Sequence, residues 1–183
     1  MILFHGFADT PQSWDRVLPL LPGASAPPLP PAASADAMLD ALEARIGDGL
    51  HDIVGNSLGG WLALKLAERG RARTVVAFAP AGGWADDAYR DLLERQRLIP
   101  GASTALIDAA LRDGWPVRPE RITCPVRVVW GTADALLPWP SAAHRYRHDW
   151  LPHADWVVLD GVGHYPQLER PLEAAQLILG FTG

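Results

Sequence analysis

The sequence has one cysteine, Cys124, in 183 residues, which excludes an intrachain disulfide and any cluster of thiolate metal ligands. Beside Pro125, in a setting that does not supply the positive charge a reactive thiolate needs, Cys124 reads as a small core residue. Basic charge is scarce as well. The 16 Lys and Arg stand against 21 Asp and Glu for a formal net charge of -5, and they are scattered along the chain, so the basic stripe of a nucleic-acid-binding surface is missing. Long apolar runs are absent too. Met1 to Phe4 is too short for a signal peptide, and nothing approaches the ~20 apolar residues of a membrane helix. The expectation is a cytoplasmic protein with no membrane and no nucleic acid among its partners. No internal repeat and no cluster of metal ligands is visible, and neither a metal nor an organic cofactor is expected.

Proline and glycine are plentiful, with 17 of each, which implies tight turns and short elements. Several prolines crowd into Pro22 to Ala35, where Pro27, Pro28, Pro30 and Pro31 leave room for a short edge strand at most. The length suits one domain over residues 1–183. Within it, five short apolar runs read as strands buried on both faces: Met1 to Phe4, Asp52 to Gly55, Thr74 to Ala79, Val126 to Trp130 and Trp156 to Leu159. Helical spacing fills the gaps between them. Ser34 caps a helix carrying Met38, Leu39, Leu42 and Ile46 to a stop at Gly47, and Gly59 to Arg69 is a second helix. A final helix begins at Pro171, is expected to bury Leu172, Ala175, Ile178 and Leu179, and ends at Gly180. The alternation predicts an α/β fold with helices on both faces of a mostly parallel sheet of about six strands. Residues 82–123 break the rhythm. There Tyr89, Leu92, Leu93 and Leu106, Ile107, Ala110, Leu111 predict two helices separated at Pro100-Gly101, a short helical cap inserted before the next strand.

The segment Gly55-Asn56-Ser57-Leu58-Gly59-Gly60 follows a strand and opens a helix. In that context G-x-S-x-G is a sharp turn that lifts the serine hydroxyl to the end of the sheet. The turn also sets the Leu58 N-H at a helix start, where unpaired donors and the helix dipole favour a developing oxyanion. His5-Gly6-Phe7 follows the first strand, where the facing loop of an oxyanion hole lies in such a sheet, and the Phe7 N-H is a candidate second donor.

These segments resemble the α/β-hydrolase superfamily, in particular its single-domain ester and C-C bond hydrolases with H-G-F and G-N-S-L-G-G signatures. The resemblance extends from His5 to the last helix. Cys124 to Asp134 is similar to the family block that ends with the triad acid, and Gly161-Val162-Gly163-His164 to the loop of its catalytic histidine. It implies a catalytic set of Ser57, Asp134 and His164, in the chain order this fold uses. Asp134 as a helix cap and His164 as a structural histidine are the plainer alternatives. His5 is expected to shape the oxyanion turn. Two departures from the family are evident: the first strand already carries the oxyanion loop, which implies a reduced sheet or a start further upstream, and the cap is small.

The implied function is a serine esterase that cleaves carboxylic esters of small or medium acyl groups through an acyl-enzyme on Ser57, as a monomer or homodimer. Trp61, Trp84, Leu136, Trp139 and Tyr165 lie in or beside the motif loops and are candidate substrate contacts. Two alternatives stay open: C-C bond hydrolysis or elimination by the same residues, and a non-catalytic scaffold. Epoxide or haloalkane chemistry on this fold would need a carboxylate at position 57.

Overall fold

The computed structural model describes residues 1–83, 87–99 and 102–182. The five apolar runs form β1 (Ile2–Phe4), β2 (His51–Asn56), β3 (Ala72–Phe78), β4 (Val126–Gly131) and β5 (Asp155–Leu159). They lie side by side in chain order, every neighbouring pair parallel. Phe4 is in register with Gly55, Asn56 with Phe78, Phe78 with Val129, and Gly131 with Leu159. The loops after β1, β2, β4 and β5 therefore leave the sheet at one edge, where sites in open parallel sheets form.

Among the described residues there are five strands where about six were expected. The proline-rich segment supplies a single parallel bridge, Ser25 to Ile2, beside β1. Leu3 N-H donates to the Ser25 carbonyl at 2.8 Å and Ser25 N-H to Met1 at 3.1 Å. The prolines that follow have no N-H to continue a ladder.

Strand periodicity divides the core between the two faces of the sheet. Phe4, Ile53, Val75, Ala77, Val128 and Trp130 face one cluster, while Leu3, Val54, Val76, Phe78 and Val129 face the other. Both faces are covered, which is why the strands are apolar without alternation. Helices α1 (Ala35–Ile46) and α2 (Leu58–Glu68) pack on the first face, and α6 (Pro171–Leu179), preceded by the single turn α5 (Pro166–Glu169), belongs to the second. The Ser34 hydroxyl accepts the Ala37 N-H at 3.2 Å, and Gly47 leaves α1 at φ 75°, so both ends of that helix are set by the residues expected to set them.

The last helix corrects one expectation. Ala174, Ala175 and Ile178 form its buried stripe, whereas Leu172 is 68% exposed and Leu179 46%. Both leucines sit about 100° around the helix from that narrow stripe, and Arg127 and Phe181 occupy its flank through a cation-π contact of 4.7 Å. Between β3 and β4 run α3 (Asp87–Gln96) and α4 (Thr104–Asp113), the latter capped by Ser103 and ended by Gly114 at φ 66°. The expected break at Pro100-Gly101 falls outside the described residues. Among the described residues no helix is long and apolar enough to cross a membrane.

Candidate active site

Ser57 sits alone between β2 and α2 at φ 55°, ψ -117°, a backbone conformation that costs a non-glycine residue roughly 1–3 kcal/mol. Its neighbours enforce that conformation. A Cβ on Gly55 would meet the Gly59 carbonyl oxygen at 2.1 Å, and one on Gly59 would meet the Phe4 carbonyl oxygen at 2.2 Å. Two glycines are thus required for the chain to turn within a single residue and for α2 to start against β1. The turn is pinned on both sides, since Ser57 N-H donates to Phe78 at 2.9 Å while its carbonyl accepts from Trp61 and Ala81 at 3.1 and 3.0 Å. The Ser57 hydroxyl makes no capping bond to the helix it precedes.

His164 and Asp134 come together from the loops after β5 and β4. The His164 Nδ1 lies 2.7 Å from Asp134 Oδ2, and both side chains are almost wholly buried. The other carboxylate oxygen accepts the Leu136 and Leu137 N-H groups at 2.9 and 2.7 Å. Asp134 therefore caps the following turn and holds the imidazole at the same time. With Nδ1 engaged by the carboxylate, Nε2 is the ring nitrogen left for another partner. Gly131 permits this approach, because a Cβ there would lie 2.1 Å from the Val162 carbonyl oxygen.

A buried amide pair joins the serine turn to the histidine loop. Asn56, with no exposed surface, donates from Nδ2 to the His164 carbonyl at 3.0 Å and to the Phe78 carbonyl at 3.2 Å. Gln167, equally buried, donates to Asn56 Oδ1 at 3.1 Å. Sequence reasoning missed Gln167, which is 111 positions from its partner and carries no local signal.

His5 takes a supporting part in the loop after β1. Its Nε2 accepts the Leu29 N-H at 3.2 Å, which leaves Nδ1 to donate to the Gly6 carbonyl at 2.9 Å. Burial pushes its pKa below the ordinary histidine value, against smaller opposing effects of the Gly6 bond and Asp9, and so favours this neutral form. Gly6 lets the loop close on the serine, with a Cβ there only 3.3 Å from Ser57 Cβ.

Ser57, His164, Phe7 and Leu58 open on one cavity of about 270 Å³. Among the described residues, none accepts a hydrogen bond from the backbone N-H of Phe7 or Leu58. Leu136 and Tyr165 also line it; burial raises the Tyr165 phenol pKa, with smaller effects from Asp9 and Asp134, and it stays protonated as a donor. Trp61 and Trp139 do not line it, which corrects the expectation for both. Trp61 stacks on Trp115 at 4.9 Å and donates its Nε1-H to the Trp115 carbonyl, while Trp139 packs on Trp156 beneath the Arg147 guanidinium. Trp84 lies outside the described residues. Among the described residues Trp115 and Leu137, and from the inserted segment Leu92, Leu93, Gln96, Ile99 and Ile107, also line the cavity without having been singled out as contacts. The remaining thiol, Cys124, is half-buried and away from this cavity, its pKa raised by burial.

Ser57 on its strained turn and an imidazole oriented by a buried carboxylate thus open on one cavity. The chain belongs to the alpha/beta hydrolase family, whose model matches residues 1–177. It is 32% identical to the epoxide hydrolase EphH of Mycobacterium tuberculosis over 181 residues, covering 70% of this chain and 84% of that protein. It is 28% identical to the pimeloyl-[acyl-carrier protein] methyl ester esterase of Aromatoleum aromaticum over 242 residues, covering 97% of this chain and 96% of the relative. That alignment is longer than this chain, so the relative carries segments with no counterpart here. Among solved structures, an E-2-(acetamidomethylene)succinate hydrolase superposes with a TM-score of 0.79 at 18% identity, over 100% of this chain and 90% of that one. A hydrolase from the Mar Chica lagoon metagenome gives 0.76 at 23%, over 98% and 88%.

Proposed function

We propose that the chain is a serine esterase that cleaves carboxylic esters through an acyl-enzyme on Ser57. The observation that carries this reading is the uncapped Ser57 hydroxyl on its strained turn, opening on the same cavity as a His164 ring whose Nδ1 is held 2.7 Å from Asp134. His164 Nε2 takes the hydroxyl proton as Ser57 Oγ attacks the ester carbonyl carbon, and Asp134 stabilises the imidazolium that results. The Phe7 and Leu58 N-H groups, unused by the fold, receive the oxyanion; one such donor is worth about 3 kcal/mol in related chemistry. His164 then returns the proton to the leaving alcohol. In the second half, water loses a proton to His164, adds to the acyl carbon, and Ser57 leaves with that proton. Residues 82–123 serve as a small cap over the serine.

Serine at position 57 separates this reading from the epoxide hydrolase chemistry named for one relative, which needs a carboxylate nucleophile. The esterase relative, aligned over nearly its whole length, supports an ester as the substrate. Ser57→Ala is expected to lower p-nitrophenyl ester turnover by at least ~10⁴-fold with the melting curve unchanged. A fluorophosphonate probe is expected to label the wild type at Ser57 and leave the variant unlabelled. Residual turnover near the wild-type rate in Ser57→Ala would sink the proposal.

A further inference from the structure

The peptide group between Ser57 and Leu58 is planar, with its carbonyl and its N-H pointing in opposite directions, so whatever holds the one aims the other. The Ser57 carbonyl is held by two donors, the Trp61 N-H at 3.1 Å and the Ala81 N-H at 3.0 Å. Trp61 belongs to α2 itself. Ala81 belongs to the segment that leaves β3 and is tied in turn, since its carbonyl accepts the Tyr146 hydroxyl at 2.6 Å. Tyr146 opens a π-helical turn, Tyr146–Trp150, and its side chain has no exposed surface. Its ring packs on Trp130 at 6.4 Å and edge-on with Trp150 at 4.9 Å. Burial, with a smaller effect of Glu68, raises the phenol pKa well above its ordinary value, and the group stays a neutral donor. Gly82 clears the way for it. At φ 103°, a Cβ on Gly82 would lie 2.7 Å from the Trp115 carbonyl oxygen and 3.3 Å from Tyr146 Oη.

Resting on the esterase reading above, we propose that Tyr146 is a positioning residue of the oxyanion site: its hydroxyl sets the Ala81 backbone, Ala81 holds the Ser57 carbonyl, and the Leu58 N-H is thereby aimed at the developing oxyanion. Ala81 lines the cavity with only a methyl group, so packing of its own side chain does little to fix its peptide groups. Hydrogen bonds on its N-H and its carbonyl do that instead. Without the phenol, Ala81 gains room to turn and its bond to Ser57 loosens. The Leu58 N-H then loses alignment, and a hydrogen bond weakens steeply as its angle departs from linear. The loss is felt most where negative charge on the oxygen is greatest, which is in the transition state. A ground-state ester carbonyl carries little of that charge and binds nearly as before. The signature is a fall in kcat with KM unchanged.

Tyr146→Phe keeps the ring and removes the donor. With p-nitrophenyl butyrate, kcat is expected to fall about 30-fold with KM within about twofold of wild type. The inhibition constant of a trifluoromethyl ketone of matching chain, whose Ser57 adduct carries the oxyanion, should rise by about the same factor. Replacing Tyr146 by p-aminophenylalanine returns an N-H donor and is expected to bring kcat back to within about threefold of wild type. Thr74→Val, which removes a buried 2.8 Å hydroxyl bond to Asp52 near the start of β3, is the control for a purely structural loss. It should lower the melting temperature and leave kcat and the ketone constant within about twofold. Two amides report on the tie without any substrate: exchange of the Ala81 amide proton should be about tenfold faster in Tyr146→Phe, and the Leu58 amide resonance should shift. If both amides respond while the wild type turns over no ester and forms no ketone adduct, the aiming of the Leu58 N-H stands and the esterase reading falls. Should neither amide respond, or should an active wild type and Tyr146→Phe share the same kcat and ketone constant, the inference is overturned.

Discussion

The base and the roof of the cavity are built on different principles. At the base, every group is held by polar contacts between loops distant in the chain: His164 by Asp134, the His164 carbonyl by Asn56, Asn56 by Gln167, and the His5 ring by Leu29. Glycines at 55, 59 and 131 remove the space in which those loops could shift. At the roof, α3 and α4 offer mainly apolar side chains, and the surface ion pairs of Arg97 with Glu94 and Asp108 are partly open to water. Hydrogen bonds have directions and fix atoms to a few tenths of an ångström, as reacting groups require. Apolar contact has none, so it tolerates changes of shape and decides what fits.

The comparison predicts that base variants act on rate and stability, while roof variants act on KM. The largest effect, after loss of Ser57, is expected from Gly59→Ala. Its new methyl would press on the Phe4 and His5 carbonyl oxygens, which are backbone and cannot rotate away. A cost of about 3 kcal/mol or more is expected, lowering Tm by roughly 10 °C in a thermal melt. Asn56→Asp keeps the shape but turns a donor toward the His164 and Phe78 carbonyls into an acceptor. We expect kcat to fall about 100-fold with KM little changed, along with about 2 kcal/mol of stability. An unchanged kcat would mean that the amide pair does not position the histidine loop.

At the roof, Leu92→Ala removes a half-buried wall residue. KM for medium-chain esters should rise about three- to tenfold, with kcat within about twofold and stability down by about 1 kcal/mol. A collapse of kcat instead would erase the distinction between the two regions. The smallest effect concerns pH. Because the folded-state pKa of His5 is lowered by burial, the folded protein binds fewer protons there than the unfolded chain. Its contribution to stability is complete above pH 6.5, the unfolded value, and is lost as pH falls from there through the lower folded value. Urea denaturation across that window should show this slope in the wild type and a shallower one in His5→Gln.

Much of the base was legible because it is local. Gly55 to Gly60 describes a turn between a strand and a helix, and the β-branched run before it reads as a strand buried on two faces. The tryptophans misled for a related reason. Trp61 is four residues from Ser57, but the helix between them carries its ring to Trp115 and away from the cavity. Nearness in sequence to a motif does not give a side chain's direction.

The sequence by itself determined the order of strands and helices and the turn that strains Ser57, since each depends on spacing of a few residues, while Asp134 and His164 came from the family resemblance. Only the tertiary structure decided which of the described side chains line the cavity and that Asn56 and Gln167 join two loops. Those pairings are separated by tens of residues or more. They exist because the packed sheet brings its strand ends to one edge, and no local rule of the chain encodes that distance.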